Sequence, residues 1–247
     1  MNYAECRHYK QRSRASETGL GALKLFRPIL AGATISERLI ACAGAFIAIA
    51  LTAASGLAFP TPSPLVIAPI GASAVLIFAI PASPLAQPWP VIGGNVISAC
   101  VGLAVSWAIP ETTLAAALAV ALAIAVMSLT RSLHPPGGAV ALTAALGGSA
   151  VAKWGYLFPL MPVGLSSLVL VALGVAFHGL SRRSYPHRIA PSQPSGAGNG
   201  PAAAFSPADI DEALAQMGET FDIARDDLDR LLQYAEANAA RRQASAS

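Results

Sequence analysis

The chain has 247 residues, of which 54% are hydrophobic and only 12% are Asp, Glu, Lys or Arg, about half the charged fraction usual in soluble domains. Aromatics make up 6% and there are three cysteines, so the apolar mass is mainly Ala, Leu, Ile and Val. A disulfide scaffold, a collagen and a disordered tail are excluded. What remains is an all-α, polytopic membrane helix bundle.

Residues 1–38 hold seven Lys or Arg, whereas residues 39–180 contain only Glu111, Arg131 and Lys153 as fully charged side chains. The first 208 residues carry a net charge of +8 and the last 39 carry −5, so the overall +3 hides a basic membrane part and an acidic appendix. The N-terminal stretch, 1–35, is too long and too charged for a signal peptide, and an apolar run of about 20 residues follows it instead of an h-region of roughly 7–15. It is expected to be a retained cytoplasmic leader. Arg182, Arg183 and Arg188 directly follow the last apolar run, which by the positive-inside rule puts the C-terminal end in the cytoplasm as well. Both termini inside require an even number of crossings; a five-span count would place the arginine-rich tail outside. Cys6, Cys42 and Cys100 have no paired spacing for zinc, haem or thiol redox chemistry and are read as inert.

Four segments reach the length of about 20 apolar residues that a spanning helix needs: 39–58, 90–109, 113–131 and 158–180. Two others are short, 65–80 and 136–149, roughly 24 and 21 Å as helices. Each short segment starts with proline and glycine, which suggests a half-helix, a re-entrant element or a tightly packed short span. Pro69-Ile-Gly-Ala-Ser-Ala-Val75 precedes Pro135-Pro-Gly-Gly-Ala-Val-Ala141 by 66 residues, and a second proline-glycine start follows each, at Pro90 to Gly94 and at Pro162 to Gly164. The order long, short, long therefore occurs twice, as expected for two related repeats. If the short elements cross, the halves are inverted, as in many transporters, with Arg131 and His134 cytoplasmic and Glu111 outside. If they only dip in and return, there are four spans and these positions reverse. The positive-inside rule favours six, although Lys153 then falls outside.

The segment Arg131-Ser-Leu-His134-Pro135-Pro136-Gly137-Gly138-Ala139 is the most distinctive in the chain. It resembles the signature of the HPP family of integral membrane proteins, named for the His-Pro-Pro tripeptide. Ala68-Pro-Ile-Gly-Ala-Ser-Ala74, Pro84-Leu-Ala-Gln-Pro88 and Gly93-Gly94-Asn95 are similar to further blocks of that family, in the expected order. The resemblance covers about 36–182 and implies a membrane domain usually described as four-spanning. Plant chloroplast members are linked to nitrite transport. Many bacterial members carry paired CBS domains after the membrane part; here 206–242 resembles the helical linker to such domains, but the domains themselves are absent from this sequence.

Physical reading of the motif points to an anion. Pro135 and Pro136 must end the preceding helix near His134 and can begin the next. Gly137 and Gly138 let a ligand or another backbone come close to the helix's first N–H groups, and a helix N-terminus is positive by its dipole. Pro69, Gly71, Ala72 and Ser73 form the counterpart, with a hydroxyl donor added. Arg131 would attract an anion at the entrance, and His134 could couple a proton to transport. Asn95, inside an apolar span, must find a hydrogen bond, as interhelical glue or as a pore-lining group; Ser166 and Ser167 are its weaker equivalents. Plain helix packing is the alternative for the glycines, a helix cap for His134, and a snorkelling anchor for Arg131. Lys153, Trp154 and Tyr156 fit an interfacial belt, and His178 is expected at the interface too.

The tail is read as a flexible linker at 183–205 followed by a cytoplasmic helical hairpin at 206–247. Ser206 and Pro207 would start one helix and Gly218 would stop it; a second would begin near Asp222. Both have apolar faces that need covering, by each other, by self-association or by a cytoplasmic partner. The functional expectation is a transporter or channel for a small inorganic anion in the bacterial inner membrane. The alternative is a non-transporting regulatory or partner-binding module. One acid within 39–180, with no paired carboxylates and no metal spacing, argues against an enzyme and against a metal or other cofactor, and nothing suggests nucleic acid.

Overall fold

The computed structural model describes residues 35–58, 65–181, 184–187, 207–217 and 222–244. The expected basic leader, Cys6, Arg182, Arg183, Arg188, Ser206, Gly218 and most of the expected linker lie outside the described residues. The chain divides into two compact units, Met1–Ile40 and Ala41–Ser247. Only 35–40, the first turns of the first helix, are described in the former.

Among the described residues the fold is entirely helical. The long helices are α1 (Ile35–Ser55), α3 (Pro88–Ala108), α4 (Thr112–Leu129) and α7 (Leu165–Leu180), the last continued backwards by an irregular wide turn at Pro159–Gly164. With these extensions, four helices are long and apolar enough to cross a membrane. The two short helices are α2 (Ala68–Ala79) and α5 (Pro135–Leu146), 12 residues each, about 18 Å long. A single-turn α6 (Ser149–Trp154) follows α5, and α8 (Pro207–Met217) and α9 (Arg225–Ala244) form the tail.

The long helices pack through small residues, as expected where lipid removes the hydrophobic drive between helices and close van der Waals contact must replace it. On α1 the buried stripe of the second unit is Gly44, Ala48 and Thr52; on α4 it is Ala115, Ala119, Ala123 and Met127. Both repeat every fourth residue, the spacing of one helix face. Large apolar side chains such as Phe46, Leu122 and Leu168 point outward, the arrangement for a bundle solvated by lipid.

Contacts at the two ends fix the direction of each element. At one end, Trp89 Nε1 donates to the Thr130 carbonyl at 3.2 Å and Tyr185 donates to the Ala86 carbonyl at 2.9 Å. The ends of α2, α4 and α7 therefore meet the start of α3 there. At the other end, the Leu65 N–H donates to the Ala53 carbonyl at 3.3 Å, and Trp107 and Tyr156 rings lie 4.5 Å apart. The elements α1, α2, α3, α4, α5 and α7 thus alternate in direction along the chain.

His178 departs from the interfacial position expected for it. It is 1% exposed, its Nε2–H donates to the Ile77 carbonyl at 2.9 Å, and it stacks on Phe78 with centroids 5.7 Å apart. A carbonyl near the end of a short helix needs a donor, and His178 supplies it from inside the bundle. Lys153 lies 5.6 Å over the Trp154 ring, and Tyr156 is exposed.

Candidate functional site

His134 is the N-cap residue of α5, extended at φ −139°, ψ 109°, and is fully buried. The preceding helix ends at Leu129 with Thr130 as its C-cap, and the next residue, Arg131, takes a left-handed φ of 54°, costing about 1–2 kcal/mol for a residue with a Cβ. That reversal turns the chain inward: Ser132 N–H bonds back to the Met127 carbonyl at 2.9 Å, Ser132 is buried, and His134 enters the bundle. Arg131 itself stays exposed.

Both ring nitrogens of His134 are engaged. Nδ1 lies 2.9 Å from the Leu85 carbonyl, and since a carbonyl only accepts, Nδ1 carries a proton. Nε2 lies 2.8 Å from Ser73 Oγ. In a neutral imidazole Nε2 is then the acceptor, and the Ser73 hydroxyl donates to it. Ser73 has no second proton, so the Asn95 amide that faces it does so with its NH2 group. Nδ2 donates to Ser73 Oγ at 3.3 Å and to Ser167 Oγ at 3.0 Å. Both amide protons are spent, and Asn95 Oδ1 is left buried with no hydrogen-bond partner. Leaving such a group unpaired costs about 1–3 kcal/mol.

Ser73, Asn95, His134 and Ser167 are each at 0% exposure. They come from α2, α3, the start of α5 and the start of α7, two from each of the sequence segments read above as repeats. Asn95 and Ser167 stand 72 residues apart, as do Pro90, near the start of α3, and Pro162, in the wide turn before α7. Asn95 lies seven residues into α3, about 10 Å from its start, which sets the cluster well inside the bundle. Met161, at φ −132° and ψ 114°, breaks the helical path before α7, and Ser167 is the third residue of the helix that follows.

The backbone donors expected to bind an anion are mostly consumed or missing. In α5, Pro135 and Pro136 have no N–H, and the Gly137 N–H bonds the His134 carbonyl at 2.8 Å. In α2, Pro69 has none and the Ile70 N–H bonds the Ile67 carbonyl at 3.0 Å. The polar centre is built from side chains instead. Pro69, Pro136 and Gly137 are buried, Gly138 half-buried, and Gly71, Ala72 and Pro135 exposed. Gly71 lines an apolar groove of about 450 Å³ with Ala45, Phe46, Ile49, Ala50, Ala74 and Val75, away from the cluster. Gly94 and Gly137 serve close approach: a Cβ on Gly94 would sit 2.5 Å from the Ser132 carbonyl oxygen, and one on Gly137 would sit 2.7 Å from Ser98 Oγ.

Two members were not singled out from the sequence as site residues. Ser167 was recognised only as a weaker equivalent of Asn95, and its 72-residue spacing from Asn95 is the signal that pairs them. The Leu85 carbonyl lies in Pro84-Leu-Ala-Gln-Pro88, a block noted for its order, but a backbone acceptor leaves no mark in side-chain chemistry.

The family model for the HPP transmembrane region matches residues 31–186. Two curated transmembrane proteins of Dictyostelium discoideum are each 41% identical over 121 residues, covering 47% of this chain and 38% and 42% of their own. The chain thus spans well under two thirds of the length of these relatives. No solved structure matches. With more than half of its length matched by the family model, and with His134 of the His-Pro-Pro turn buried inside a helical bundle, the chain belongs to the HPP family of transmembrane proteins.

Proposed function

We propose that this protein is a transporter or channel for a small monovalent inorganic anion of nitrite-like size, and not an enzyme. It would sit in the bacterial inner membrane with both termini cytoplasmic. The observation that carries the reading is the buried cluster of Ser73, His134, Asn95 and Ser167, with Asn95 Oδ1 unpartnered. Polar groups at depth in a membrane bundle are expensive and mark solute pathways. Drawing them from both halves of a repeat matches carriers whose substrate binds between repeats. With the cluster closed off from the surface, rocking of one half against the other would expose it to alternate sides. The end bearing Arg131 and followed by Arg182 and Arg183 is assigned to the cytoplasm by the positive-inside rule, which puts Glu111 and Lys153 outside.

A second reading, a membrane regulatory module acting through the C-terminal helices on a cytoplasmic partner, draws on one contact. Ser83 donates to the Asp222 carboxylate at 2.8 Å, tying the tail to the loop that holds His134. Purified protein in liposomes under imposed gradients of nitrite, chloride and nitrate separates the two. A carrier or channel moves at least one of them above protein-free vesicles, and Asn95→Leu lowers that rate tenfold or more. Absence of flux for every anion tried would overturn the transport reading and leave the regulatory one.

A further inference from the structure

Resting on the transport reading above, we infer that the cluster takes its solute as the neutral conjugate acid, so that a weak-acid oxyanion crosses together with one proton. The hydrogen-bond count leads there. The Leu85 carbonyl fixes the proton on His134 Nδ1; Nε2 consumes the Ser73 proton; Ser73 and Ser167 consume both protons of the Asn95 amide. What the buried centre still offers is one acceptor, Asn95 Oδ1, and one donor, the Ser167 hydroxyl, whose own proton rotates to suit a partner.

A bare anion is all acceptor. Against Asn95 Oδ1 it meets a like dipole, and among the described residues no cation in contact with the cluster offsets it. His134 is the one titratable member. Helices α2 and α4, which pack on it, carry no charged residue; α3 carries only the exposed Cys100; α7 brings His178, engaged with Ile77. Arg131 is exposed on the turn before His134, and Asp222 is bonded to Ser83 on the 83–87 loop. A molecule of the form HO–X=O matches both free groups: its O–H donates to Asn95 Oδ1, and its second oxygen accepts from Ser167. The proton joins the anion on the side of loading and leaves it on the side of release. No covalent bond to the protein is made or broken, and one anion and one proton cross with no net charge.

The selectivity that follows is for anions of weak acids over anions of strong acids with similar size and shape. Full-length protein in liposomes loaded with a pH dye is given inward gradients of formate, nitrite or nitrate. The potential is clamped with potassium and valinomycin, and leakage of the free acids is subtracted using protein-free vesicles. The expected result is protein-dependent formate and nitrite uptake with one proton per anion, unchanged by a 100 mV potential. Nitrate uptake is expected to be at least tenfold slower, and Ser167→Ala to slow formate uptake about tenfold while chromatographic behaviour is retained. Nitrate uptake equal to that of nitrite, or uptake that follows the potential without protons, would overturn this inference and leave the transport reading standing; absence of flux for every anion would overturn both. The ion selectivity is read on the unaltered chain, so a variant that fails to fold does not decide the outcome.

Discussion

Two glycines that look alike in sequence do opposite things in the bundle. Gly71 and Gly137 each follow a proline at the start of a short helix, yet a Cβ on Gly71 meets nothing within 4 Å, whereas one on Gly137 meets Ser98 Oγ at 2.7 Å and Met127 Sδ at 2.8 Å. Gly94 is tighter still, with the Ser132 carbonyl oxygen at 2.5 Å and His134 Cβ at 2.8 Å from the added carbon. Backbone cannot yield as a flexible side chain can, so Gly94→Ala must shift the turn that carries His134. Overpacking of this kind costs about 1–3 kcal/mol, while alanine in place of an unhindered helical glycine gains roughly 0.5–1 kcal/mol. Thermal unfolding in detergent should therefore show Gly94→Ala lowered and Gly71→Ala unchanged or raised. If both fell equally, close packing at Gly94 would not be what distinguishes them. Sequence could not separate the two, because the difference lies in what another helix places opposite them.

At the scale of the element, the helix starts were legible and their chemistry only partly so. Proline-glycine starts located α2 and α5 to within a few residues, because proline restricts its own φ and the residue before it. The same prolines delete the N–H groups that a helix-dipole anion site would need, and the cluster moves to side chains. Glu111 shows a helix start that does use its donors. Its carboxylate caps α4, accepting from the Thr113 N–H at 2.9 Å and the Leu114 N–H at 2.6 Å. The Leu114 and Thr113 N–H groups hold this carboxyl below its usual range. A lowered folded-state value means the cap stabilises fully above the unfolded carboxyl range, about pH 4.3, and is lost as pH falls through the folded value. The thermal midpoint of Glu111→Gln should therefore lie below that of the parent chain at pH 7, with the gap closing below about pH 4. A gap that persisted to pH 3 would show the charge to be irrelevant there.

At the scale of the whole molecule, the tail and the buried cluster share one loop. Gln87 Nε2 donates to the Pro81 and Ser83 carbonyls at 2.9 and 2.8 Å, and Gln87 Oε1 accepts from the His187 N–H at 2.8 Å. Tyr185 holds the Ala86 carbonyl, and Leu85 holds His134. Two tail carboxylates add to these contacts: Asp222 accepts from Ser83 at 2.8 Å, and Asp227 meets His187 Nε2 at 3.0 Å. The acidic appendix was visible from charge distribution, but not its seat, since the loop it grips is neutral and the bonds span 139 and 40 residues. Single exposed or half-exposed pairs are worth up to about 1 kcal/mol each, so losing both should loosen the loop without unfolding the bundle. Asp222→Ala with Asp227→Ala is expected to speed amide exchange across 82–87 severalfold, leave α4 exchange unchanged, and carry through Leu85 to an altered exchange rate of the His134 ring Nδ1 proton. Faster exchange in the loop with an undisturbed His134 proton would mean that Tyr185 and Gln87 hold the Leu85 carbonyl without the acids, and that the tail and the buried site are structurally independent.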